Sequence, residues 1–263
     1  MTAPKSEESV LNFPLAELVG FDRSVFLNDP KYEALDGFVL SLALAFNDFK
    51  TMMWVWSLLD EFKPEEPKGG AIEKKFGQFV GMRWHILRLL VGNFVELRGL
   101  ISANQPLFEE TIWVRTLRKL SNTEAKSWNS VVEFDARAKT KGTWENKFHS
   151  LLEYVRNNGT FHYAQNQPLI RGYKRAFTKE GLGAAYAYAS LGKNLEESRF
   201  YFADAAVVEM FKDQAEKLWK EFERDFHVAF RDYTRDVNSC IRGLVDAYMN
   251  VRQIKRTLVE RTT

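Results

Sequence analysis

Apolar residues recur at spacings of three and four along most of this chain, the period of a helix that buries one face. Between Tyr32 and Phe62 the stripe is Phe38, Leu42, Ala45, Phe49, Met52, Trp56 and Leu59. Lys63-Pro64-Glu65-Glu66-Pro67-Lys68-Gly69-Gly70 ends it, because proline and glycine break helices. A second stripe runs from Ala71 to Ala103 through Phe76, Phe79, Val80, Trp84, Leu87, Val91, Phe94, Val95 and Leu100. Two long helices joined by a short linker most simply form an antiparallel pair. A third helix is predicted over Leu107–Leu120, with Pro106 at its start. Ser121-Asn122-Thr123-Glu124 has the form of a helix cap and first turn and opens a fourth helix ending near Ala138. Trp144–Arg156 forms a fifth. From Asp204 to Arg256 the chain is helical again, as one long helix or a kinked pair.

Two regions depart from this period. Residues 1–30 contain Pro4, Pro14 and Pro30 and read as an arm lying against the body. Residues 163–203 are broken by Gly172, Gly181, Gly183 and Gly192. Alternation at Tyr173, Arg175 and Phe177, and again at Tyr186 and Tyr188, predicts short strands or a hairpin-like excursion. The expected fold is all-α: a bundle of long antiparallel helices over 31–263, preceded by the arm.

Composition narrows this picture. The net charge of +2 over 263 residues carries no global nucleic-acid signal. Cys240 is the only cysteine, so neither an intrachain disulfide nor a cysteine zinc site is expected. The N-terminal residues lack a basic start followed by an apolar stretch, so no signal peptide is expected. The most apolar run, Phe38 to Phe46, is shorter than the ~20 residues that cross a bilayer. A cytoplasmic protein without membrane contact, cofactor or metal is expected.

Local charge is uneven. Arg137 to Lys179 holds nine basic residues against Glu145 and Glu153, an excess of +7. Lys141, Lys147, Arg171, Lys174 and Arg175 from this stretch are the candidate phosphate contacts; solvated helix faces are the alternative.

Arg156-Asn157-Asn158-Gly159-Thr160-Phe161-His162 lies inside the same stretch. A neutral histidine can take a proton from a 2′-hydroxyl or return one to a leaving 5′-oxygen. An arginine matches the geometry and charge of a phosphoryl group. Asn157 is short and polar and can orient either group. On a straight helix six residues rise about 9 Å and turn the side chains roughly 120° apart, so Arg156 and His162 would not meet. Either Asn-Asn-Gly distorts the helix, or the groups meet counterparts across a twofold dimer axis. Of the other histidines, His85 and His227 lie in apolar surroundings and are expected to be packed. His149 lies two turns before Arg156 on the same face, where it can support the site. Tyr154 and Tyr163 flank the motif and either stack on a base or pack in the core. Gly181 and Gly183 do not form a strand-linked phosphate loop.

Arg156-Asn157, four residues, then His162 resembles the Arg-polar-x4–6-His motif of HEPN (higher eukaryote and prokaryote nucleotide-binding) domains, and Phe161-His162-Tyr163 is similar to the form in several bacterial groups of that family. Gly159 and Thr160 depart from it, standing where related segments often carry helix formers. The resemblance implies a helical bundle, usually a homodimer, with the motif facing the dimer cleft. It implies a metal-independent endoribonuclease with Arg156, His162 and Asn157 as its catalytic residues and RNA as its partner. Such proteins act as toxins or defence effectors, with an antitoxin or other protein as a further partner. Some members have lost catalysis, so a non-catalytic interaction or nucleotide-binding module is the second expectation. A structural bundle with a chance match is the third.

Overall fold

The computed structural model describes residues 19–21, 26, 29–65, 74–160, 166–178, 189–191, 198–218, 222–253 and 256–258. The fold is all-α. Helix α1 (Glu33–Glu61) follows a tight 3-10 turn at Pro30–Tyr32, where Asp29 accepts from the Lys31 amide. Its buried residues Leu35, Phe38, Val39, Leu42 and Phe49 keep the predicted three-and-four spacing. Helix α2 (Lys74–Ala103) packs antiparallel to it. Phe49 meets Phe94 with ring centroids 4.8 Å apart, and Asp60 meets Arg83 at 3.5 Å. Pro30–Glu61 is long enough to cross a membrane and contains an 18-residue window of mean hydropathy 1.2, of which 22% is buried. Here its apolar stripe packs on α2 and on the last long helix.

After α2 the predicted third helix is split. Pro106 sits in a 3-10 turn (Gln105–Glu109), and the α-helix proper, α3, is Thr111–Leu117. Helix α4 (Asn122–Val132) begins with the capping box read from the sequence: Ser121 Oγ accepts from the Glu124 amide, and Glu124 accepts from the Ser121 amide. A short α5 (Phe134–Ala138) follows. Helix α6 (Trp144–Val155) starts at Thr143, whose hydroxyl accepts from the Asn146 amide.

The alternation at Tyr173, Arg175 and Phe177 does not make a strand. These residues lie on helix α7 (Asn166–Thr178), with Pro168 in its first turn, where its missing N–H costs nothing. Helix α8 (Tyr201–Leu218) packs against α7 at very close range. A Cβ at Gly172 would collide with the Ala206 carbonyl and with Met210, so this crossing needs glycine. The hairpin-like excursion is small: strands β2 (Ala189–Ser190) and β3 (Arg199–Phe200) pair antiparallel. Tyr186, Tyr188, Gly181, Gly183 and Gly192 lie outside the described residues.

From Asp204 onward the sequence allowed one long helix or a kinked pair, and the structure has two helices, α8 followed by α9 (Phe222–Val251). Helix α9 carries the centre of the core. Phe94 packs edge-on to Phe230 and Tyr233, and Tyr233 also meets Phe134 and Phe148. At its C-terminal end the Tyr248 hydroxyl donates to Asp36, and Arg252 pairs with the same carboxylate at 3.0 Å while lying over the Tyr32 ring. This buried cluster locks the end of α9 to the start of α1. The arm and the tail also meet: β1 (Val19–Phe21) pairs antiparallel with β4 (Arg256–Leu258), a strand pair the helical periodicity does not predict. Phe26 packs on the core, while Leu11, Phe13, Leu15 and Leu18 lie outside the described residues.

Candidate functional site

Helix α6 buries Phe148, Leu151, Leu152 and Val155, which holds its C-terminal end against the core. The following residues, Arg156–Thr160, do not continue the α-helix but form one π-helical turn that packs on α2. Asn158 Nδ2 donates to the Tyr154 carbonyl at 2.8 Å. The distortion expected from Asn-Asn-Gly is therefore present, and single π turns recur at functional sites. Beyond it, Phe161, His162 and Tyr163 lie outside the described residues.

Arg156 and Asn157 are brought together. One guanidinium nitrogen of Arg156 donates to Asn157 Oδ1 at 3.3 Å and another to Glu96 Oε1, on α2, at 2.9 Å. The Arg156 side chain is 36% exposed and Glu96 69%. An ion pair this open is worth little, typically under ~1 kcal/mol, so an incoming phosphate can exchange for the carboxylate.

Arg98 of α2, next to this turn along α6, is nearly buried. It donates to Asp135 at 2.6 Å, lies 3.7 Å from Glu153, and covers the Phe134 ring. His149 Nδ1 is 3.9 Å from Glu153 and makes no hydrogen bond among the described residues. Burial, then the Arg98 charge, holds the His149 pKa below its ordinary value, so the ring is neutral at pH 7. Seven residues before Arg156, it stands about 10 Å along the same helix face. That is too far to serve the same phosphate as the guanidinium.

The five candidate phosphate contacts separate into different roles. Lys141 is exposed in the turn before α6, beside Gly142 at φ 89°, and Lys147 is half-buried on α6. Arg171 and Lys174 are exposed on α7. Arg175 does not fit the expectation of a phosphate contact. It donates to Glu209 at 2.9 Å, Asp213 at 3.1 Å and Glu216 at 2.7 Å, all on α8, and these carboxylates push its pKa up. Each of its three guanidinium nitrogens is engaged by a carboxylate, and Lys212 and Lys217 balance the remaining charge of the cluster, so Arg175 serves the α7–α8 packing. Arg137, from the same basic stretch, is held by Glu145 and Glu133.

His85 also departs from expectation. Its ring is exposed, 3.2 Å from Arg88, because the apolar neighbours Trp84, Ile86 and Leu87 point elsewhere around the helix. His227 has its side chain outside the described residues. Tyr154 is half-buried against the core. Among the described residues no group of three or more His, Cys, Asp or Glu side chains is placed to hold a metal ion. Two side chains at the site were not found from sequence, Glu96 and Arg98. Nothing in a linear pattern links α2 to a motif some sixty residues later. No family model, curated protein or solved structure matches this chain.

Proposed function

We propose that the chain is a metal-independent endoribonuclease of HEPN-like type, working as a homodimer around Arg156, Asn157 and His162. The observation that carries this reading is the π turn. The helix gives way at the motif, leaving a half-exposed arginine beside Asn157 and held otherwise by an exposed carboxylate. In the reaction, the 2′-hydroxyl of the substrate attacks its own phosphorus and the bond to the 5′-oxygen breaks. The proton lost by the 2′-hydroxyl is balanced by the one the 5′-oxygen gains, with His162 as the group that moves it. Arg156 stabilises the charge on the phosphoryl oxygens, and Asn157 orients its guanidinium. The products end in a 2′,3′-cyclic phosphate and a 5′-hydroxyl, and DNA is not cut.

The test compares wild type, His162→Ala and Arg156→Ala on single-stranded RNA with excess chelator. Loss of a general acid–base group lowers the rate about 10²–10⁴-fold. Loss of the guanidinium costs about 3–4 kcal/mol if it resembles loss of an oxyanion donor. An inert wild type, or a His162→Ala variant as fast as wild type, rejects the ribonuclease. RNA that binds through Arg156 and is not cut identifies a nucleotide-binding module instead.

A further inference from the structure

A concave surface that includes none of the Arg156–Thr160 turn is lined by α1, α2 and α9. It is a groove of about 920 Å³ between α1 and α9, closed below by α2. Its floor is apolar: Phe46, Met53 and Trp56 of α1, Leu87 of α2, and Phe226 and Phe230 of α9. Its lips are cationic, with Lys50, Arg83, Arg231, Arg235 and Arg242, and no carboxylate lines it among the described residues. Along α9 the lining runs from Phe226 to Arg242, a rise of about 24 Å, so the groove is long and linear.

We propose that this groove docks an acidic amphipathic helix of a partner protein. The spacing of the lips matches that occupant. Arg231, Arg235 and Arg242 form one stripe at intervals of four and seven, the repeat at which a second helix presents its own flanking charges. They are 72%, 67% and 74% exposed. Their present partners are Asp232, 3.3 Å from both Arg231 and Arg235, Asp236, 3.9 Å from Arg235, and Glu124, 4.0 Å from Arg242; every pair is open to solvent on the arginine side and exchanges at small cost. The floor distinguishes a helix from single-stranded RNA. A stacking platform needs free ring faces. Trp56 is covered by the Arg83 guanidinium at 4.4 Å, and Phe226 packs edge-on to Phe211 and tilted against Phe230. What remains is an apolar trough for leucine-like side chains, with cations placed to meet acids on either flank. This proposal stands independently of RNA cleavage.

The experiment titrates the full chain into a fluorescein-labelled peptide of about 18 residues, long enough to fill the groove as a helix. The peptide carries leucines at spacings of three and four on one face and glutamates beside them. Comparison probes are the same peptide with lysines for glutamates, a scrambled peptide of equal composition, and oligouridine of similar charge. The acidic amphipathic peptide is expected to bind and to weaken as salt rises. Combined Arg231→Glu, Arg235→Glu and Arg242→Glu should reduce its affinity at least about tenfold, with the helical circular dichroism unchanged. Should that triple variant fold poorly, Val228→Asp on the exposed lip and Lys50→Glu should each produce a loss in the same direction. Equal binding of the lysine or scrambled peptide overturns the proposal, as does failure of the acidic peptide to bind. Oligouridine binding that depends on the three arginines reassigns the groove to nucleic acid.

Discussion

Arg175 separates the structural cations of the basic stretch from those free to meet a ligand. Replacing it with alanine removes a guanidinium 20% exposed from a carboxylate, Glu209, that is 8% exposed. Breaking a buried pair by deleting one partner costs about 3–5 kcal/mol, because the remaining charge stays desolvated. Lys212, 3.7 Å from Glu209, compensates in part and places this leg near the lower limit. The legs to Asp213 and Glu216 are 32% and 52% exposed on the acid side, so solvent screening reduces them to about 1 kcal/mol together. The expected loss is therefore about 3–4 kcal/mol. With a urea dependence of about 3 kcal/mol/M, the unfolding midpoint followed by circular dichroism falls by about 1 M. Arg171→Ala and Lys174→Ala, on the exposed face of the same helix, should stay within about 0.5 kcal/mol of wild type. Combining Arg175→Met with Glu209→Gln should recover most of the loss, since no buried charge is then left unpaired. A loss under about 1 kcal/mol for Arg175→Ala, or an equal loss for Arg171→Ala, would refute the assignment of Arg175 as the structural hub.

Other consequences can be measured separately. On the proposed RNA site, Glu96 would compete with phosphate for Arg156, so Glu96→Gln should tighten RNA binding and Arg156→Ala should weaken it and flatten its salt dependence; unchanged affinity in both would remove Arg156 from that proposal. The folded-state pKa values of His149 and His85 lie below the ordinary 6.5. The unfolded chain therefore binds more protons near that pH, and stability present above 6.5 declines as the solution is acidified through and below it. His149 contributes a slope of at most about 1.4 kcal/mol per pH unit and the exposed, solvent-screened His85 much less, so His149→Gln should reduce the dependence; a pH-independent unfolding midpoint contradicts this. Arg252→Ala removes the only cation paired with Asp36 among the described residues, leaving its 6% exposed carboxylate with the Tyr248 hydroxyl alone, and should cost about 3 kcal/mol in denaturant unfolding, whereas a cost below about 1 kcal/mol would mean the cluster joining α1 and α9 is not a stabilising lock.

The helices were legible in the sequence because their signals are local. Side chains three and four apart share a face whatever surrounds them, so the stripes of α1, α2 and α9 could be read directly. The Ser121–Glu124 box uses only groups within one turn. Asn-Asn-Gly made a distorted helix end one of two readings at the motif, and the π turn is that distortion. Where a local signal was short it misled: the alternation at Tyr173, Arg175 and Phe177 spans five residues, and close packing of Gly172 on α8 made that segment a helix instead. Which charges are spent on the fold is decided elsewhere. Lys174 and Arg175 are adjacent in sequence, yet only Arg175 turns toward the three acids of α8, which lie 34 to 41 residues along the chain. Glu96 reaches Arg156 across sixty residues, and the cationic groove takes its floor and lips from three separate helices. Pairing of charges and the shape of a cavity depend on distances between helices, which no spacing along one helix encodes.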